Sequence, residues 1–115
     1  MEADLNYRWE ILENKLTEKF GRQLSLETII YMIGLRELGA HPTQEFEKEE
    51  KVDLMHIAIC RLLSQSGYYE LSHQDQQGWP HWTLIKPLPH SDMFTQVALL
   101  KAHVLEYFEQ EEVFD

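Results

Sequence analysis

The stretch from Val52 to Leu71, VDLMHIAICRLLSQSGYYEL, constrains this chain more than any other. It is the longest apolar run in the sequence, and its period changes part-way. Up to Leu63 the apolar residues follow a helical repeat. Val52, Leu54, Met55, Ala58, Ile59, Leu62 and Leu63 sweep more than half of a helix circumference. A surface helix needs an apolar stripe only about 100° wide, so this helix is expected to be covered on at least two sides. The remaining sector carries Asp53, His56, Ile57, Cys60, Arg61 and Ser64. Ser64 and Ser66 lower helix propensity, and Gly67 supplies a C-terminal stop. Upstream, EFEKEEK is charged and helix-favouring. It reads as the exposed first turns of the same helix, with Thr43 as N-cap and its glutamates near the positive end of the helix dipole.

Around this centre the rest falls into place. Leu5, Trp9, Leu12 and Leu16 recur on one stripe and predict a first helix from about Asp4 to Lys19. Ser25 is the expected cap of a second helix from Leu26 to Leu38, with Ile29, Ile30 and Ile33 on its apolar face. Gly34 lies inside it at a cost of about 1 kcal/mol against Ala. Two readings stand for that glycine: close approach of another backbone, or plain tolerance. Gly39 ends the helix, and His41-Pro42 connects to the central one.

After Gly67, Tyr68, Tyr69 and Leu71 favour a strand. Asp75-Gln76-Gln77-Gly78 suits a type I turn, and Trp82-Thr83-Leu84-Ile85 reads as the returning strand. Pro80 must lie on an edge or avoid a ladder position. A two-stranded hairpin is not stable alone, so Tyr69, Leu71, Trp82 and Leu84 are expected to face the helices. After the stiff Lys86-Pro87-Leu88-Pro89, Ser91 is the expected cap of a last helix from about Asp92 to Gln110. Its stripe is Met93, Val97, Leu100, Val104 and Tyr107, with Phe94, Ala98, Leu105 and Phe108 beside it. The expected fold is mainly α, of α+β class: four helices with one small β-hairpin, at about 68–86, between the third and fourth. It is read as a single domain over 1–115 with a core shared by all elements and a frayed tail at 111–115.

The order resembles a winged-helix domain with an added C-terminal helix. LLSQSGYYEL, DQQG and WTLI carry the resemblance, over about Leu54 to Ile85. In that family the helix before the glycine enters the DNA major groove, and the wing carries basic residues for the backbone. This chain departs at both places. Its helix begins EFEKEEKVD, and Leu71 to Leu84 holds no Lys or Arg. The resemblance therefore implies an architecture, at most that of a degenerate winged-helix regulator, and not a DNA-reading role.

Charge bears on the partners. Twenty acidic against ten basic side chains give a formal net charge of -10. From Leu62 onward the only Lys or Arg residues are Lys86 and Lys101. Backbone contact to a duplex needs such residues, so DNA binding is not expected. The single cysteine excludes an internal disulfide and suits a reducing, cytoplasmic setting. MEADLNYRWE is not a signal peptide, and no apolar run reaches the roughly 18 residues of a membrane span.

Two constellations could carry function. Asp53, His56 and Cys60 share one helix sector, and all three types bind transition metals. His81 and His73 on the hairpin could complete such a set. The simpler reading keeps His56 at the core boundary, Cys60 as a small buried hydrophobe and Asp53 solvated, with no metal and no cofactor. A Cys60 nucleophile is disfavoured, since apolar surroundings raise a thiol pKa. The second constellation is Gly78-Trp79-Pro80-His81-Trp82, with Tyr68 and Tyr69 nearby. That much aromatic area near a turn has three readings: intramolecular cover, an interface with Trp and Tyr as anchors, or a small-molecule pocket. No phosphate loop, HExxH or CxxC motif is present. The expected function is a non-catalytic, self-associating protein-interaction or accessory domain. The alternative is a small metal-binding protein or metal-dependent enzyme using the Asp53/His56/Cys60 face.

Overall fold

Residues 2–41 and 43–113 are described by a computed structural model, and Pro42 lies outside them. Their elements are α1 (Glu2–Phe20), α2 (Leu26–Leu38), α3 (Lys48–Ser64), β1 (Tyr69–Gln74), β2 (Pro80–Leu84) and α4 (Met93–Gln110). The order is helix, helix, helix, antiparallel hairpin, helix, an α+β, winged-helix-like arrangement as the sequence predicts. The chain groups into two units, Met1–Leu26 with His90–Asp115, and Glu27–Pro89.

In the first unit, α1 and α4 run side by side. Leu5 and Asn6 lie beside Phe94, Val97 and Ala98, while Leu12 and Lys15 lie beside Leu105 and Phe108. Positions rise together along both helices, so the two run parallel. Trp9, Leu12 and Leu16 are buried, as are Val104, Leu105 and Tyr107. The Lys101 ammonium sits 5.3 Å from the Trp9 ring centre, and Arg8 pairs with Glu109. Two expectations for α4 need correction. Its cap is Asp92, whose Oδ1 accepts the Thr95 N–H at 2.8 Å, and not Ser91. The apolar stripe also fails at its start: Met93 is 73% and Phe94 77% exposed. These two stand on the first turn, before any α1 residue comes alongside except Leu5 and Asn6. Beyond α4, the Glu111 and Val113 N–H groups still bond to Tyr107 and Phe108 carbonyls at 2.9 and 3.3 Å. The last two residues of the tail expected to fray, Phe114 and Asp115, lie outside the described residues.

In the second unit, α3 is the centre. Leu54, Ala58, Cys60 and Leu62 are fully buried. The close-approach reading of Gly34 is the one realised. A Cβ built there would overlap the Leu54 carbonyl oxygen and lie 2.9 Å from its carbonyl carbon. Only a glycine lets α2 cross α3 at that distance. The C-terminus of α3 is also as expected. Gly67 adopts φ +80°, and the Tyr68 N–H reaches back to the Leu63 carbonyl at 3.2 Å, which closes the last turn.

The start of α3 is not where the charge run suggests. Thr43 is no cap; its hydroxyl lies 2.7 Å from His41 Nδ1. The helix begins at Lys48, and Glu47 and Glu50 form a reciprocal capping box in which the Glu47 N–H donates to Glu50 Oε1 at 2.9 Å. The cause is Phe46, whose ring meets the Trp79 ring edge-on, 6.3 Å between centres. Helix propensity in Glu45–Glu47 yields to that aromatic contact.

The hairpin turns as predicted. The Gly78 N–H donates to the Asp75 carbonyl at 3.0 Å, the Asp75 N–H donates to the Trp79 carbonyl at 2.9 Å, and Gly78 takes φ +87°. Register pairs Tyr69 with Leu84 and Leu71 with Trp82, which puts these four on one face, but only Tyr69 and Trp82 are half-buried. Leu71 and Leu84, expected to face the helices too, are each 49% exposed because α3 lies over only part of that face. A bulge between Leu71 and His73 resets the pairing so that His73 faces His81 and Gln74 faces Pro80. Pro80 is tolerated because it opens a strand whose outer edge is unpaired.

Candidate functional site

The helix sector that carries Asp53, His56, Ile57 and Cys60 is the one the hairpin covers. Its lower part is closed. Cys60 is fully buried, with Sγ 3.5 Å from His56 Nε2, and the Tyr69 phenol hydrogen-bonds the same sulfur. The Tyr69 ring meets His56 edge-on, with 6.5 Å between centres. Burial pushes the thiol from 9.0 up to about 11, partly offset by the Tyr69 hydrogen bond. Burial also raises the Tyr69 phenol, and Cys60 beside it adds to the shift. A thiol held protonated in this way is a packing group and a poor nucleophile at neutral pH.

Above this closed part the helix and hairpin diverge. They leave a cleft of about 480 Å3 lined by Glu50, Asp53, His56 and Ile57 from α3 and by Asp75, Gln77, Trp79, Pro80, His81 and Trp82 from the hairpin. Asp75 organises the hairpin side. Its Oδ1 accepts the Gln77 and Trp79 N–H groups at 2.9 and 3.0 Å. Its Oδ2 lies 3.0 Å from His81 Nε2. The His81 bond first, and then the backbone N–H of Trp79, hold the Asp75 carboxyl below its ordinary pKa, since each donor favours the ionised form. The His81 ring stacks on His73, 4.6 Å between centres and 3° from parallel.

The two indoles are both half-buried. Trp79 leans on Phe46. The Trp82 Nε1–H is buried and has no acceptor among the described residues. A buried donor left so costs about 1–3 kcal/mol.

The sequence-derived candidates thus separate. Trp79, His81 and Trp82 come together in the cleft, and Asp53 and His56 join them from the helix. Tyr69 belongs to the closed part with Cys60. Tyr68 is apart from both, under the Lys86 ammonium at 4.4 Å. The metal face is not assembled. His56 and Cys60 meet, but among the described residues no three His, Cys, Asp or Glu side chains are arranged to hold an ion. His81 is engaged by Asp75 and His73 instead.

Sequence reasoning missed Asp75, Glu50 and Phe46 as parts of the site. Asp75 was legible only as a turn residue. A signal was present in its spacing to His81, because residues flanking a tight turn return to the same place. No helix among the described residues is long and apolar enough to cross a membrane. No family model, no curated protein and no solved structure matches this chain.

Proposed function

We propose that the chain is a small, acidic, cytoplasmic, non-catalytic protein-interaction domain, and that a second copy is among its partners. The observation that carries this reading is the hairpin's apolar face. Register gathers Tyr69, Leu71, Trp82 and Leu84 there, yet Leu71 and Leu84 are each 49% exposed. Strand side chains of this kind contribute when their face is covered. On this face α3 meets Tyr69 and lies near Trp82, and Leu71 and Leu84 are left without cover. Both strands of a two-stranded sheet also keep an unpaired edge, the usual template for pairing with another chain.

Catalysis has less support. The one buried thiol is held protonated, and the Asp75 carboxylate is spent on His81 and on its own turn. Duplex DNA is not part of the proposal either, because Glu45, Glu47, Glu49, Glu50 and Asp53 outnumber the basic residues around the start of α3 and Leu71 to Leu84 holds no Lys or Arg to meet phosphates.

Sedimentation equilibrium over a wide concentration range tests the reading. We expect the wild type to dimerise and Leu84→Glu to weaken the dimer by at least about 2 kcal/mol, the size of a hot-spot loss, while the monomer stays folded. Trp79→Ala is expected to do less, since Trp79 is already engaged by Phe46. A wild-type chain that stays monomeric at high concentration would end the self-association part of the proposal.

A further inference from the structure

We infer that the cleft between α3 and the hairpin receives one cationic side chain, a lysine or arginine of a protein partner. This rests on the interaction reading above and adds a chemistry to the partner. The cleft holds about 480 Å3, inside the roughly 300–1,000 Å3 of ordinary ligand sites. A long side chain fits it, and a folded element does not.

Charge selects the sign of the occupant. Glu50, Asp53 and Asp75 line the cleft, and no Lys or Arg does. Two of the three carboxylates already have work. Asp75 accepts from His81, Gln77 and Trp79. Glu50 accepts the Glu47 N–H that caps α3. The Asp53 carboxylate has neither a hydrogen bond nor an ion pair among the described residues, and the residue is exposed at the cleft wall. A carboxylate left open beside two half-buried indoles is complementary to a cation on an alkyl stem. Indole faces attract cations, the stem covers apolar wall as long basic side chains do elsewhere, and the carboxylate supplies a charge-assisted bond. A phosphate would meet three like charges. A neutral apolar group would cover Asp53 and return nothing for its lost hydration.

The test uses the full chain, labelled with 15N. The indole N–H signals of Trp79 and Trp82 report on the cleft, and the indole of Trp9 is the internal control. The probes are the capped peptide acetyl-Gly-Lys-Gly-amide, the same peptide with norleucine for lysine, and free n-butylammonium. We expect the lysine peptide to move both cleft signals saturably, the norleucine peptide to move neither, and high salt to weaken the response. Asp53→Asn should weaken binding at least about fivefold with the remaining amide spectrum unchanged. Equal movement by the norleucine peptide overturns the proposal, as does unaltered affinity in Asp53→Asn. Silence up to about 20 mM lysine peptide, a binding energy too weak to matter, also overturns it. If n-butylammonium binds as tightly as the peptide, the occupant is a small organic cation and the assignment to a protein partner fails. The sedimentation result for Leu84→Glu is read separately. A chain that dimerises while its cleft stays silent sinks the cation site alone, and a monomeric chain that still binds lysine sinks only self-association.

Discussion

The two sides of α3 are built on opposite rules. Toward α2 the helix is packed until no methyl group fits, with Gly34 set against the Leu54 backbone. Toward the hairpin the same helix carries Asp53 and His56 and leaves a cleft of about 480 Å3. One side is determined by shape, because a dense interior offers few alternatives. The other is determined by polar chemistry: an Asp75–His81 contact, a capping box and an open carboxylate. The difference teaches where stability and recognition reside along one helix. Substitutions on the α2 side should be read in unfolding. Those on the hairpin side should be read in titration and binding.

The largest effect is expected on the closed side. Leu54→Ala should cost about 2–5 kcal/mol, as for other fully buried leucines. Gly34→Ala should cost about 1–3 kcal/mol or more by overpacking, although alanine is the better helix former. Denaturant unfolding measures both. A Gly34→Ala protein as stable as the wild type would break the contrast, because it would show that the crossing has room to give.

The next effect lies at the boundary between the two sides. Cys60 is raised from 9.0 to about 11 in the folded chain. Its protonated form is therefore favoured by folding. The stabilising contribution is intact below pH 9 and is lost as pH rises from about 9 through about 11, on the order of a few kcal/mol in all. Tyr69 is also shifted upward, so the comparison of wild type with Cys60→Ala isolates the thiol's share. Stability that falls equally in both proteins over that range would sink the assignment. At neutral pH the native thiol should react slowly with a maleimide.

The smallest effect belongs to the hairpin tip. The Asp75 carboxyl is held below its ordinary value of 3.8, first by His81 and then by the Trp79 N–H. Its contribution is present above that ordinary value and fades as pH falls through the lower native one. The group is solvent-facing, so the readout is local. Amide shifts of Gln77 and Trp79 should titrate below pH 3.8 in the wild type and stay flat over that range in Asp75→Asn. Titration of these amides at or above the ordinary carboxyl value would mean that the His81 contact does not persist.

Much of this was legible in the sequence, for definite reasons. Element order followed from period: the stripe of Trp9, Leu12 and Leu16, the isoleucines of α2, and the switch at Gly67 each allow one local structure. The Asp75–Gly78 turn followed from turn chemistry. The start of α3 was misplaced, because propensity in EFEKEEK is a weak prior and the Phe46–Trp79 contact overrides it. The stripe on α4 was drawn too long, because periodicity marks which face is apolar and not how far a neighbour extends along it. The cleft was half legible. Trp79, Trp82 and His81 stood out by composition. Glu50 and Asp75 did not, since a carboxylate in a charge run or turn looks the same in sequence whether or not it lines a site.

The grouping of the chain has a consequence for its synthesis. Residues 27–89 form one unit from continuous sequence, while α1 has its partner helix only after residue 92. On a ribosome adding about 5–20 residues per second, the inner unit has its full complement of side chains while α4 is still being made. For several seconds α1 carries Trp9, Leu12 and Leu16 with no α4 beside them. Such a nascent chain is a substrate for a holdase that grips apolar helices. Slowing translation anywhere between the end of α1 and residue 110 should lengthen that dependence, whereas slowing it over α1 itself should not.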